Sequence, residues 1–535
     1  MWTTLVYALT SASILSSVAA QEPGTPTARI DSGVIIGTAT ILPSATAAVH
    51  KYLGIPFADP PERFTPPELP SRWDEPLETT QYKPACIQQF NAGPSRNFTQ
   101  SVFNYPPPPE SEDCLYLNVF TPDAPTDGPG RAVLVWLYGG SLQFGTGSLP
   151  GYDGSYFAGY QDVVVVTLNY RTNLFGFPSS PNIPLTRRNL GFLDQRAALA
   201  WVQRNIAEFG GDPEKVTLFG ESAGAASIDA LLTSYPKGSN PPFRAAILQS
   251  GQIGLRRATT PKAGSSAWDI LAQDAGCTGN RTLTCLTQAP ASKLKAIIEA
   301  KSLSFSPTTD NYTLVSKPYL KRHEGKIANI PTLVGSNAEE GRVFQVGKTD
   351  LDAYLKETFP SNMTEKVKAA YANNPALKSN YDIISAIMTD VQFTCPAFLQ
   401  AHGSYVAGYP SWRYYFNATF PNLQTFPNAG VYHASEIDLI FGTYGKLPTE
   451  SSRRPSTPQE AALSDFMQGA WAKFAKNPAG GPGWSQVGSA HSGRPLNGTE
   501  PDDLGVLGGV ASAGVNVVSR KSVDSKCAMY VPLYG

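Results

Sequence analysis

The sequence predicts an α/β fold built on a large, mostly parallel central sheet with helices on both faces. Two patterns carry that expectation. Short apolar runs, mostly rich in β-branched residues and without polar alternation, recur along the chain, as parallel strands covered on both faces require. The stretches between them leave room for helical crossovers, and one of these shows helical spacing directly.

In chain order the strand-like runs are Ala132 to Leu137 (AVLVWL), Val163 to Leu168 (VVVVTL), Val216 to Phe219 (VTLF), Ala245 to Leu248 (AAIL) and Ile330 to Val334 (IPTLV). Ahead of the third run, Gln195 to Phe209 places Leu199, Val202 and Ile206 on one helical face, and Gly210-Gly211 follows where a helix stops. Directly after VTLF comes GESAG, and then AASIDALL, which can begin a helix. Ser222 therefore sits on a strand-to-helix turn, with Gly220 and Gly224 leaving the backbone room for a sharp reversal.

Bulk composition narrows the functional classes. The chain has 535 residues, 41% of them hydrophobic, with 42 Lys+Arg against 43 Asp+Glu. That size buries a large core, and that balance offers no electrostatic footprint for nucleic acid. Residues 1–20 (MWTTLVYALTSASILSSVAA) read as a secretory signal cleaved after Ala20, although the segment carries no Lys or Arg near its start. Residues 21–535 read as one large domain, with no linker or repeat dividing them and no apolar run long enough for an integral membrane segment. An even count of six cysteines and sequons at Asn97, Asn280, Asn311, Asn362, Asn417 and Asn497 agree with export to an oxidising compartment. Neighbour pairing joins Cys86 to Cys114 and Cys277 to Cys285, and leaves Cys395 for Cys527. There is no C-x-x-C, and the dipeptide His323-Glu324 lacks a second histidine four residues on, so no metal site is expected.

A serine hydroxyl is a weak nucleophile until a base takes its proton, so Ser222 needs a histidine and a group to orient it. In this fold type the acid and then the base follow the serine. That order excludes His50 and leaves little room for an acid before His323. His491 lies in a Gly-rich segment and His402 in an apparent helix, whereas His433 (NAGVYHASEIDLIF) lies in a loop ahead of an apolar segment. His433 is the best base. IPTLVGSNAEEG ends a strand and delivers Glu339 and Glu340 to its carboxyl end, where ligand and catalytic groups of parallel sheets collect. Side-chain chemistry does not choose between these two glutamates. VWLYGGSLQFG supplies a compact loop after another strand, which predicts the backbone N–H groups of Gly140, Ser141 and Ala223 as oxyanion donors.

Together these residues resemble the type-B carboxylesterase/lipase family, the cholinesterase-like α/β-hydrolases. The resemblance covers nearly the whole mature chain, including YLGIPFADPP, SEDCLYLNVFTP, the YGGS loop, LNYR, NLGFLDQRAALAWVQRNIAEFGGDP, GESAG, ILQSG, NAEEG and YHASEI. It implies Glu340 as the acid of a Ser222, Glu340, His433 triad, and Ser250 as a supporting group near that acid. It also implies disulfides Cys86–Cys114 and Cys277–Cys285, and structural ion pairs from Glu112 and between Arg171 and Asp194. A Cys395–Cys527 bridge is carried over less directly, because the C-terminal segment diverges.

Two departures from the family pattern bear on the site. Ser141 stands where glycine is common, and its side chain is expected to narrow the site. The segment from Cys86 to Cys114 has no Trp to face a quaternary ammonium, and Phe90, Phe98, Phe103 and Tyr105 offer an apolar rim instead, so choline esters are not the expected substrates. That segment, with PPPP at 106–109, reads equally as a lid or as a static covering loop. The expected reaction is hydrolysis of a small-molecule or lipid carboxylic ester through an acyl-enzyme, with no metal or organic cofactor. An acyltransferase using the same serine and a binding protein of cholinesterase-like fold are the two alternatives. Retained biological activity in a Ser222→Ala protein marks the binding protein, and product analysis with and without added alcohol marks the transferase.

Overall fold

The protein is described from a computed structural model covering residues 25–126, 128–253, 265–445, 454–489, 504–509 and 513–534. The expected leader at 1–20, His491 and Asn497 lie outside the described residues. The strands are β1 (Thr27–Ile30), β2 (Gly33–Ile36), β3 (Thr38–Thr40), β4 (Val49–Pro56), β5 (Leu77–Glu78), β6 (Tyr116–Pro122) and β7 (Arg131–Leu137). They continue as β8 (Val164–Leu168), β9 (Gly211–Glu221), β10 (Ala245–Gln249), β11 (Thr332–Asn337), β12 (Ser411–Phe416), β13 (Leu504–Leu507) and β14 (Val515–Val518).

Eleven of these strands form one sheet in the order β14-β13-β12-β11-β10-β9-β7-β8-β6-β4-β3, while β1, β2 and β5 form a small separate sheet. From β8 across to β13 every neighbouring pair is parallel; β6, β4 and β3 at one edge and β14 at the other run antiparallel. All five apolar runs read from the sequence lie in the parallel block. Every residue of β7, β8 and β10 is buried, which explains why those runs show no alternation. Aromatic packing locks the centre, with the Trp136 ring 4.8 Å from Phe219 and 5.1 Å from Phe441.

The helix expected over Gln195 to Phe209 runs from Leu190 to Asn205 and tightens into a 3₁₀ turn at Ile206–Phe209. Gly210 then ends it in the left-handed conformation, at φ 72°. Cys86–Cys114, Cys277–Cys285 and Cys395–Cys527 are all bonded, leaving no free thiol, which is compatible with an exported protein. The asparagines of the five described sequons are exposed. No helix among the described residues is long and apolar enough to cross a membrane.

The stretch from Cys86 to Cys114 is more ordered than a loop, because Arg96–Phe103 forms a two-turn helix within it. Structural ion pairs brace this side of the sheet. Arg63 pairs with Glu112, and Arg171 makes a buried two-pronged contact with Asp194 at 2.7 and 2.9 Å.

Candidate active site

The site is assembled at the carboxyl ends of β7, β9, β10 and β11. Past the ends of β9, β10 and β11 the chain keeps pairing with its neighbour. Ser222 N–H donates to Gln249 C=O at 2.8 Å, Ser250 N–H to Gly335 C=O at 2.9 Å, and Ala338 N–H to Phe416 C=O at 2.9 Å. The rigidity of the sheet thus extends one step into the loops that carry the polar side chains.

Ser222 lies between β9 and the helix Ala223–Ser234, with φ 53° and ψ −120°. A non-glycine residue there stores ~1–3 kcal/mol of backbone strain, held in place by its surroundings. Close packing supplies the constraint, since a Cβ at Gly224 would lie 1.9 Å from the Leu137 carbonyl oxygen and one at Gly220 2.6 Å from the same atom. Ser222 is 9% exposed.

Glu340 follows β11 and is fully buried, whereas Glu339 points elsewhere, toward Arg342 at 2.6 Å and the Val431 N–H at 3.0 Å. One Glu340 oxygen, Oε1, accepts from Ser250 Oγ at 2.5 Å and from the Asn337 N–H at 2.6 Å. The other, Oε2, lies 2.6 Å from His433 Nδ1. The far nitrogen of His433, Nε2, is buried and makes no hydrogen bond; Glu221 Oε1 is 2.9 Å away but misaligned. No hydrogen bond joins Ser222 Oγ to His433 in this structure, a common state of such sites without substrate. Phe393, Phe344 and Phe103 surround the imidazole at ring distances of 4.6, 5.0 and 6.5 Å and keep water from it.

The other described histidines stand apart from this constellation. His50 is on β4 beside Asp123, His323 ends a short helix, and His402 packs on Phe398 in the helix Cys395–Val406.

Burial alone disfavours the His433 imidazolium, but the carboxylates of Glu221 and Glu340 outweigh it and raise its pKa above the ordinary 6.5. Burial also raises Glu221, against the pull of His433. Glu436, hydrogen-bonded by Asn337 Nδ2 at 2.6 Å and Gln249 Nε2 at 3.2 Å, is pushed up to about 8 by burial and by the charges of Glu221 and Glu340. Sequence reasoning assigned no role to Glu221 or Glu436. Their positions, directly before the serine and three residues after the histidine, were the only signal.

The N–H groups of Gly140, Ser141 and Ala223 donate to no group of the described chain. Gly140 has φ 99°, and a Cβ there would lie 2.3 Å from the Phe144 carbonyl oxygen, so the loop needs glycine at that position. Ser141 departs from expectation. It adopts φ 58° on an exposed turn and is not among the residues lining the cavity, so its side chain does not narrow it. The aromatic rim is also smaller than expected. Phe103 and Tyr105 line the cavity, but Phe90, ahead of the helix, stacks on Phe144, and Phe98 on the helix Arg96–Phe103 turns to Phe426.

Two cavities border residues of this site. One, of about 100 Å³, is lined by Phe103, Tyr105, Gly140, Glu221 and Tyr432 among others. The second is smaller and is lined by Ser222, Ser250 and Phe393 among others.

Residues 24–499 match the carboxylesterase family. The chain belongs to that family. This esterase is 38% identical over 455 residues to the para-nitrobenzyl esterase of Bacillus subtilis (strain 168), spanning 81% of this chain and 87% of that protein. It is 34% identical over 472 residues to the acetylcholinesterase of Bungarus fasciatus, spanning 81% of this chain and 76% of that one. A solved PNB esterase superposes with a TM-score of 0.73 at 30% identity, covering 95% of this chain and 100% of that one. The fold is therefore the α/β-hydrolase fold, and the protein is a carboxylic ester hydrolase.

Proposed function

We propose that the esterase works through Ser222, His433 and Glu340 by way of an acyl-enzyme. The hydrogen-bonded line from Ser250 and Asn337 through Glu340 to His433, ending at an Nε2 that makes no hydrogen bond, is the observation that carries this reading. His433 Nε2 takes the Ser222 proton as Oγ attacks the ester carbonyl, and the N–H groups of Gly140, Ser141 and Ala223 receive the charge developing on oxygen. His433 then protonates the leaving alcohol, and water repeats the sequence to free the acid. Glu340 holds the imidazole in the tautomer that leaves Nε2 as acceptor. Because the alcohol leaves toward Nε2, and Nε2 faces Glu221 in the wall of the larger cavity, that cavity takes the alcohol arm. The smaller cavity beside Ser222 takes the acyl arm.

Brief reaction with p-nitrophenyl acetate and acid quenching should leave an acetyl group on the peptide that contains Ser222. Acetyl recovered on a different peptide, with turnover retained by Ser222→Ala, would exclude an acyl-enzyme at Ser222.

The base must be neutral to act, so the raised pKa of His433 places the acid limb of kcat/KM above the ordinary histidine range. Glu221→Gln removes one of the two charges that hold the proton on the imidazole. The limb is expected to move to lower pH in that variant, and an unmoved limb would show that Glu221 does not govern the base.

The chain is also read as exported, on its three disulfides and the exposed asparagines of its described sequons. Terminal sequencing of the secreted protein should begin at Gln21, and a chain that retains the leader would count against it.

A further inference from the structure

Gln252 lies three residues past the end of β10, two beyond the serine that holds Glu340. It is 5% exposed, and neither its Nε2 nor its Oε1 has a hydrogen-bond partner. Burying an amide with both ends unpaired is unfavourable unless a ligand or water completes it; Gln195 and Gln400 share that state, and of the three it is Gln252 that lines a cavity together with Ser222. The amide borders the smaller cavity, whose walls include Ser222, Ser250, Val391, Phe393 and Tyr534. Tyr534 is fixed there by its hydroxyl, which donates to the Val391 carbonyl at 2.6 Å. The cavity has a volume of about 40 Å³. One water needs ~10–15 Å³ on that scale, so the space suits about three heavy atoms beyond an ester carbonyl.

We propose that Gln252 sets acyl specificity, and that the esterase prefers short acyl groups bearing a hydroxyl next to the carbonyl. This rests on the assignment of the smaller cavity to the acyl arm. A hydroxyl donates to Oε1 and accepts from Nε2 at once, so it completes both ends of the amide. A carboxylate only accepts, an ammonium only donates, and an alkyl branch does neither. The apolar walls of Val391 and Phe393 hold the carbon skeleton, while Gln252 is the polar contact that discriminates. Sites built to hydrogen-bond a substrate hydroxyl penalise the analogue that lacks it far more than apolar pockets penalise a lost methyl group.

The test is a matched pair, ethyl lactate and ethyl isobutyrate, in which a hydroxyl replaces a methyl group of similar size. After each rate is divided by that for hydroxide-catalysed hydrolysis, wild-type kcat/KM should favour lactate by about 10-fold or more. Gln252→Leu should bring the ratio to about one while preserving or raising turnover of isobutyrate. Gln252→Ala, which adds space instead of filling it, should lose the preference in the same way. A corrected wild-type ratio at or below one overturns the proposal whatever the variants do, as does the same preference in wild type and either variant. If Ser222→Ala hydrolyses both esters at the wild-type rate, the assignment of the site fails instead. Serine-dependent turnover with an unchanged ratio removes only the role of Gln252.

Discussion

Ser222→Ala is expected to lower kcat for any ester the enzyme turns over by about 10⁶-fold, the scale seen when a serine hydrolase loses its nucleophile. In activation free energy that is about 8 kcal/mol. The fold should survive, because alanine keeps the Cβ that the turn at φ 53° already accommodates, and the packing of Gly220 and Gly224 on Leu137 is untouched. No neighbour can take over the attack. Ser250, just past the end of the adjacent strand β10, is fully buried and donates its hydroxyl to Glu340. What remains should come from the oxyanion donors and from substrate binding, a residual acceleration of ~10³–10⁴ over water. Matched thermal melts of wild type and variant, with kcat measured on p-nitrophenyl acetate, make the comparison. A folded variant within tenfold of wild type would mean that Ser222 is not the nucleophile.

The central strands could be read from the chain because they are buried on both faces, so β7, β8 and β10 appear as unbroken apolar runs. Their limits were less legible. β9 begins at Gly211, five residues before the apolar run, where pairing of Arg131 with Gly211 extends the strand through polar sequence. Local context offers Ser222 and His433 as nucleophile and base, through a strand-turn-helix and a loop before an apolar segment. The two glutamates could not be separated by their own chemistry, and the resemblance to a family chose Glu340. Their difference is three-dimensional. A 3₁₀ turn starting at Glu340 aims it inward onto Ser250 and the Asn337 N–H, while Glu339 faces Arg342 at the rim. Glu436 and Gln252 were beyond reach for the same reason. Each is an ordinary polar residue in sequence and becomes unusual only where separate loops bury it against the site.

Glu340→Gln should cost about 10⁴-fold in kcat, the scale for making the acid of a serine-hydrolase triad neutral while keeping its shape. That is about 5 kcal/mol of transition-state stabilisation. The hydrogen bonds around Glu340 determine why so small a change should matter. Its Oε1 position faces the Asn337 N–H, which can only donate, so a glutamine must place its carbonyl oxygen there. The amide nitrogen then faces His433 Nδ1, where the carboxylate oxygen stood at 2.6 Å. A donor in that place forces Nδ1 to accept, which puts the imidazole proton on Nε2 and removes the lone pair that must take the Ser222 proton. The amide cannot escape by flipping, because its NH₂ would then meet the Asn337 N–H. Loss of the carboxylate charge also withdraws support from the imidazolium that forms during attack. Ser250→Ala provides the contrast. It removes one donor to Oε1 but leaves the charge and the Asn337 contact, so its loss should be far smaller than that of Glu340→Gln. Equal losses in the two variants, or a Glu340→Gln enzyme that keeps more than a tenth of wild-type kcat, would remove Glu340 from the role of orienting acid.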